Sequence, residues 1–143
     1  VIFSLSKKHQ IILFGGGKSE AEILSRIEKK FTNCISVANK LNLNEELNVI
    51  AHLDCMLAMD SGNAHFAAML DIPTITLWGG THPFAGFAPF NQPTENCLLP
   101  NLEKYPNIPC SIYGNKICNG YEDAMRTILP KTVIDKVENL LNS

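Results

Sequence analysis

Met59-Asp60-Ser61-Gly62-Asn63-Ala64-His65-Phe66-Ala67-Ala68-Met69-Leu70-Asp71-Ile72-Pro73-Thr74-Ile75-Thr76-Leu77-Trp78-Gly79-Gly80-Thr81-His82-Pro83 is the stretch whose reading decides the fold. It runs as strand end, polar turn, helix, proline, strand and second glycine-rich turn. Gly62 to Leu70 reads as a short Ala-rich helix that Pro73 keeps from continuing. Thr74 to Trp78 reads as a strand rich in β-branched residues. Two successive strands then bring polar turns to one edge of a parallel sheet, where open α/β folds bind their ligands.

Upstream, Gln10 to Phe14 is an apolar run closed by Gly15-Gly16-Gly17, the pattern of a buried strand meeting a turn. Ser19 is placed to cap a helix over Glu20 to Phe31, with acids at its start and Lys29-Lys30 at its end, as the helix dipole favours. Ala21, Leu24, Ile27 and Phe31 share one face of that helix. Thr32 to Val37 makes a second short strand. Asn42 and Glu45 have capping-box spacing and start a helix running through Leu53, with Leu47, Ile50 and Ala51 inward. Cys55 to Met59 is the third strand. The β-α-β-α-β-α-β alternation predicts an α/β fold, a Rossmann-like, doubly wound parallel sheet flanked by helices.

Downstream of Trp78 the character changes. Segment 79–120 holds Pro83, Pro89, Pro93, Pro100, Pro106 and Pro109, with one plausible strand at Asn96 to Leu99. Long loops over a scaffold tend to be functional. Tyr121 to Leu129 and Pro130 to Leu141 close the chain as two helical pieces, Pro130 suiting a first helical position. Val1 to Lys8 reads as the last turns of a helix that starts upstream, so the chain is expected to be a piece of something longer. Residues 1–143 are expected to form a single domain.

That domain has an ordinary globular composition, 45% hydrophobic and 18% charged over 143 residues. A chain of this size buries roughly 68 to 70% of its unfolded surface. The formal net charge of -2 provides no basic field to hold nucleic acid. The longest apolar runs, such as Ile11 to Phe14, fall far short of the roughly 20 residues that span a bilayer. A soluble protein is expected. The five cysteines, at 34, 55, 97, 110 and 118, include no Cys-x-x-Cys pair. Cys34 and Cys55 lie in apolar, strand-like segments and read as buried thiols. Cys110 and Cys118 lie in a polar loop, where a disulfide or a metal role is open beside plain unlinked thiols; nothing requires an oxidising compartment.

Gly15-Gly16-Gly17-Lys18-Ser19 invites a P-loop reading that the spacing refuses, because the earlier glycine would have to stand at Ile12. The dinucleotide fingerprint fails as well, since Glu20 occupies the place of its third glycine. What remains is a strand-to-helix turn whose free N–H groups can approach a polar ligand. Glu20 or Glu22 can accept from a pair of ribose hydroxyls, or simply serve the helix dipole. Asp60-Ser61-Gly62 followed by His65 is the stronger constellation. Gly62 lets backbone lie against a ligand, the helix start offers unpaired donors to a phosphate, and His65 adds a ring donor. The alternative is a capped helix start and a core histidine. Gly79 and Gly80 permit a tight turn, Thr81 supplies a hydroxyl to a phosphate or sugar, and Trp78 reads as core. His9, His52 and His82 read as helix, surface or loop residues, so no histidine metal site is expected.

Asp60-Ser61-Gly62-x-x-His65-x-Ala67-Ala68, then Pro73, then Trp78-Gly79-Gly80-Thr81-x-Pro83, resembles the C-terminal domain of the heptosyltransferases, glycosyltransferase family 9. Ile11 to Gly16 is similar to the family's Gly-ending strand. Ile108-Pro109-Cys110, Cys118 and Ala124-Met125-x-x-Ile128-x-Pro130-x-x-Val133 are similar to its tail. Ser61 stands for the commoner threonine, Gly80 for a usual proline and Ala124 for a frequent cysteine. The resemblance implies the C-terminal half of a two-domain GT-B glycosyltransferase. Asp60, Ser61, Gly62 and His65 would hold the donor's diphosphate and sugar, with Gly15, Gly16, Gly79 and Thr81 lining the site and Glu20 at the adenosine ribose. It implies inverting transfer of heptose from ADP-heptose to a lipopolysaccharide core acceptor, with no cofactor and no bound metal. The catalytic base would lie in a missing N-terminal domain, leaving this piece inactive alone. Localisation would be cytoplasmic, peripheral at the inner membrane through the full-length protein. Two other readings stand beside it: a non-catalytic nucleotide- or sugar-binding module, and a transferase or epimerase using another nucleotide sugar.

Overall fold

The computed structural model describes residues 1–142; Ser143, the end of the expected domain, lies outside the described residues. The chain divides into two compact units, Val1–His52 and Leu53 onward.

The first unit opens with a helical turn, α1 (Ile2–Leu5), followed by β1 (Ile11–Leu13), α2 (Gly17–Lys30), β2 (Cys34–Ser36) and α3 (Leu43–Ile50). β1 and β2 pair in parallel, Ile11 opposite Cys34 and Leu13 opposite Ser36. α2 packs on β2. Leu5, Leu13, Cys34, Ala38 and Ile50 are buried. The capping box forms as expected: Asn42 Oδ1 accepts from the Glu45 N–H at 3.1 Å, and Glu45 Oε2 accepts from the Asn42 N–H at 2.8 Å. α3 ends at Ile50, short of Leu53, and of the three residues expected inward Ile50 is buried, Leu47 half-buried and Ala51 exposed. Ala51 follows the last helical residue and so leaves the inward face.

One correction concerns the start of α2. Ser19 is not its cap; the helix begins three residues earlier than expected, at Gly17, with Gly16 at the N-cap position and no side-chain cap. The cause is Glu20, whose Oε2 accepts from the Gly16 N–H at 2.8 Å. A carboxylate reaching back onto an orphan donor takes the place expected of a serine hydroxyl.

The second unit contains β3 (Met56–Met59), α4 (Gly62–Met69), β4 (Thr74–Leu77), β5 (Cys97–Leu98) and α5 (Pro130–Leu141). β3, β4 and β5 form a parallel sheet in that order. Met56 pairs with Thr74 and Met59 with Leu77, while Thr76 pairs with Cys97. α4 packs on β3 and β4 through Ala64, Ala67 and Ala68, small residues that allow close approach. The helix stops before Pro73 acts. Asp71 takes a left-handed conformation (φ 61°), its N–H donates to Ala68 O and the Ile72 N–H donates to Ala67 O at 2.9 Å, the paired bonds of a Schellman stop.

Trp78, fully buried, follows β4. Its Nε1 donates to Thr76 Oγ1 at 2.8 Å, and that hydroxyl donates onward to Cys97 Sγ at 3.5 Å. A buried indole N–H thus has a partner, and truncating such a residue costs about 3–5 kcal/mol. Pro130 opens α5 as expected. The preceding piece, expected helical over Tyr121 to Leu129, is only a 3-10 turn over Ala124–Thr127. Leu129 is extended (φ -68°, ψ 139°) because the proline after it disfavours helical backbone there.

Candidate functional site

The site is built from the C-terminal ends of β3 and β4. At the first, the chain leaves Met59, turns through Asp60 and Ser61, and enters α4 at Gly62. Ser61 is extended (φ -137°, ψ 165°), makes no side-chain cap bond, and no acid stands in the first turn. The helix's opening N–H groups therefore have no side-chain acceptor of their own, in the position that suits an anion. A Cβ at Gly62 would meet nothing within 4 Å. The protein does not itself require glycine there, so the bare backbone faces open space. His65 lies one turn further on and is half-buried.

At the second strand end, Trp78 leads into Gly79, Gly80 and Thr81. Thr81 is buried, and its hydroxyl donates to Asp60 Oδ2 in a short bond of 2.5 Å. This bond ties the two turns together. Sequence reasoning aimed the Thr81 hydroxyl at a ligand; the structure turns it onto the neighbouring carboxylate, leaving Asp60 Oδ1 for other donors. Asp60 itself is exposed. The two glycines differ in their surroundings. A Cβ at Gly79 would approach Met125 Sδ at 3.8 Å, and one at Gly80 would approach Lys116 O at 3.8 Å and Cys110 Cβ at 4.0 Å.

The loop over Gly80 is closed by the disulfide that the sequence left open as one alternative for Cys110 and Cys118. Cys110 and Cys118 form a disulfide with a Cα–Cα distance of 5.2 Å, and the Cys110 N–H donates to Gly80 O at 2.8 Å. Eight residues separate the two, but the pairing is set by the folded approach of their Cα atoms. Of the other cysteines, Cys34 is buried while Cys55 is half-buried, just ahead of β3. Burial pushes the Cys34 thiol up; burial, then the Asp54 carboxylate, does the same at Cys55.

The other sequence-expected residues lie in the first unit. Gly16 and Glu20 are engaged with each other, and Gly15 sits where a Cβ would come within 2.7 Å of Leu24 Cδ1 and 3.0 Å of Glu20 Oε2. Glu20 thus takes the helix-start role, and both it and Lys18 are exposed. His82 lies in the second unit, half-buried, its Nδ1 accepting from the Phe84 N–H at 3.2 Å. Among the described residues no three His, Cys, Asp or Glu side chains are grouped so as to hold a metal ion. Nor is any described helix long and apolar enough to cross a membrane. A depression of about 410 Å³ lined by Asp71, Pro73, Gln92, Asn96, Lys136 and Leu140, among others, lies at the opposite end of β4 from Gly79. It is no part of the site.

The chain is similar to several known proteins. Lipooligosaccharide heptosyltransferase 2 of Campylobacter jejuni is 27% identical over 100% of this chain and 44% of its own length. The protein of the same name from Haemophilus influenzae is 29% identical over 96% of this chain and 39% of its own. The solved structure of E. coli ADP-heptose lps heptosyltransferase II superposes with a TM-score of 0.69 at 21% identity, over 96% of this chain and 39% of that one. At that identity the likeness concerns the fold. This chain therefore spans about two fifths of the length of the relatives it matches. The family pattern of glycosyltransferase family 9 (heptosyltransferase) matches residues 2–113, over both strand-end turns and the glycine turn after β1, and the chain belongs to that family.

Proposed function

We propose that the two turns after β3 and β4 bind a nucleotide-sugar donor, ADP-heptose, and that the whole protein transfers its heptose to a lipopolysaccharide core acceptor. The observation that carries this reading is the Thr81–Asp60 bond, which joins the two turns beside an uncapped helix start. The opening N–H groups of α4 and the Ser61 hydroxyl face the diphosphate, Gly62 lets it approach the backbone, and His65 adds a donor. Asp60 Oδ1 accepts from sugar hydroxyls. In inverting transfer a carboxylate base removes the acceptor's proton while fixed dipoles stabilise the departing diphosphate. We assign the second of these roles to this chain, and the base to the missing N-terminal domain. The Gly15–Gly16 turn with Glu20 is proposed as a separate, weaker contact for a ribose, because Glu20 would first have to release Gly16. The whole enzyme would act in the cytoplasm, at the inner-membrane surface where its acceptor lies.

Titration calorimetry with ADP tests the reading. Binding in the micromolar to millimolar range is expected, weakened about tenfold in His65→Ala, the loss of roughly one charge-assisted hydrogen bond. No heat up to millimolar ADP, or an unchanged affinity in His65→Ala, would overturn it. Equal competition by UDP would point to another nucleotide sugar.

A further inference from the structure

We propose that Cys110 and Cys118 are positioning residues of the turn at Gly79–Thr81, and that reduction of their disulfide by a dithiol weakens nucleotide diphosphate binding there. The proposal rests on the donor-site reading above and adds a covalent control to it.

The disulfide-closed loop touches the site turn at three places. The Cys110 N–H donates to Gly80 O at 2.8 Å. Lys116 O and Cys110 Cβ lie at 3.8 and 4.0 Å from where a Gly80 Cβ would be. Gly114, at φ 68°, is set so close over Thr81 that a Cβ would come within 3.2 Å of the Thr81 Cγ2 methyl. Thr81 in turn donates to Asp60. A continuous path thus runs from the disulfide through Gly80 and Thr81 to the carboxylate of the proposed site.

Little else holds the loop. Cys110 and Tyr121 pack against a small core of Tyr105, Ile108 and Ala124, which anchors the loop's base. Beyond that base the contacts are few: the Tyr121 N–H donates to Cys118 O at 3.0 Å, Cys118 Sγ lies 3.6 Å from Asn107 O, Ser111 Oγ is within 3.3 Å of both Lys116 N and Lys116 O, and the Tyr113 ring meets Phe87 edge-on at 6.1 Å. Ile112, Tyr113 and Ile117 are exposed, so no buried apolar surface keeps the loop in place. The disulfide is the covalent closure of the segment that carries Gly114 and Lys116. Both cysteines are half-buried rather than enclosed, within reach of a small reductant.

The chemistry is thiol–disulfide exchange. One dithiol thiolate attacks a sulfur of the pair, its second thiol displaces that sulfur, and the dithiol closes to its own disulfide. Two electrons and two protons end on Cys110 and Cys118 as thiols.

The test compares ADP affinity of the chain before and after dithiothreitol, with circular dichroism confirming that it stays folded. Reduction is expected to weaken binding by about fivefold or more, the lower range of site-to-site coupling. Reoxidation restores it. The double variant Cys110→Ser/Cys118→Ser is expected to bind as the reduced chain does and to ignore the reductant. Equal affinity in all three states overturns the proposal, as does finding five free thiols in the untreated, denatured chain. If the oxidised chain fails to bind ADP, the donor reading has failed. Amide exchange then decides the positioning role: faster exchange at Cys110 and Thr81 on reduction upholds it, and unchanged exchange overturns it.

Discussion

The starts of α2 and α4 look alike in sequence, a strand running into glycine and then a helix, yet they are built differently. At α2 the helix satisfies itself: Glu20 takes the Gly16 N–H, and Leu24 and Glu20 fill the space beside Gly15. At α4 the first turn holds no acid, Ser61 makes no cap bond, and the space over Gly62 is open. The nearest carboxylate, Asp60, is turned across to Thr81 instead. What separates the self-capped helix start from the open one is therefore the destination of the neighbouring acid, not the number of glycines.

The largest expected effect comes from removing the bond that holds Asp60 in place. Thr81→Val keeps the shape and deletes the donor, and urea unfolding should show a loss of about 1–2 kcal/mol, reduced from the usual figure for charged partners because Asp60 is exposed. ADP affinity should fall with it; an affinity equal to wild type would mean that the two turns do not act together. A paired glycine experiment sharpens the contrast. Gly62→Ala meets no protein atom and should leave stability equal or raise it by about 0.5 kcal/mol, while a ligand lying on that backbone is displaced and binding drops about tenfold or more. Gly15→Ala, by contrast, crowds Leu24 and Glu20 and should cost about 1 kcal/mol. The comparison fails if both alanines behave alike in unfolding and in calorimetry.

The smallest effect is an acid dependence within the first unit. Glu28 Oε1 accepts from the Ser36 N–H at 3.0 Å, and the Glu28 carboxylate lies near Lys40 Nζ. The backbone bond from Ser36 holds its carboxyl below the ordinary value; burial opposes it, and Lys40 adds to the lowering. A carboxyl held low in the folded chain stabilises above its unfolded value of 4.5 and loses that contribution as pH falls through the depressed one. Exchange at the Ser36 amide should quicken on acidification in that window, and in Glu28→Gln the pH dependence should vanish.

Features governed by near neighbours were legible in the sequence. The Asn42–Glu45 box, Pro130 at a helix start and the burial of Trp78 each depend on a few adjacent residues or on side-chain size alone. So were the strands, as short apolar segments alternating with helices, β4 with its β-branched Thr-Ile-Thr most plainly. The start of α2 was misplaced although its signal was local: an acid four residues after Gly16 competes with Ser19, and the carboxylate wins. The Thr81–Asp60 bond and the Cys110–Cys118 closure join residues whose approach depends on folded loops, and their partners are not fixed by spacing. The division of the strands into ladders of two and three likewise depends on long-range pairing.

Trp78 is the only tryptophan of the chain, and it stands one residue before the Gly79–Thr81 turn with its ring fully buried and its N–H bonded to Thr76. Indole emission from this 143-residue chain therefore originates beside the proposed site, from one buried ring linked through the Thr76 hydroxyl to the Cys97 sulfur. The chain carries its own optical gauge, and a spectral change there needs no label.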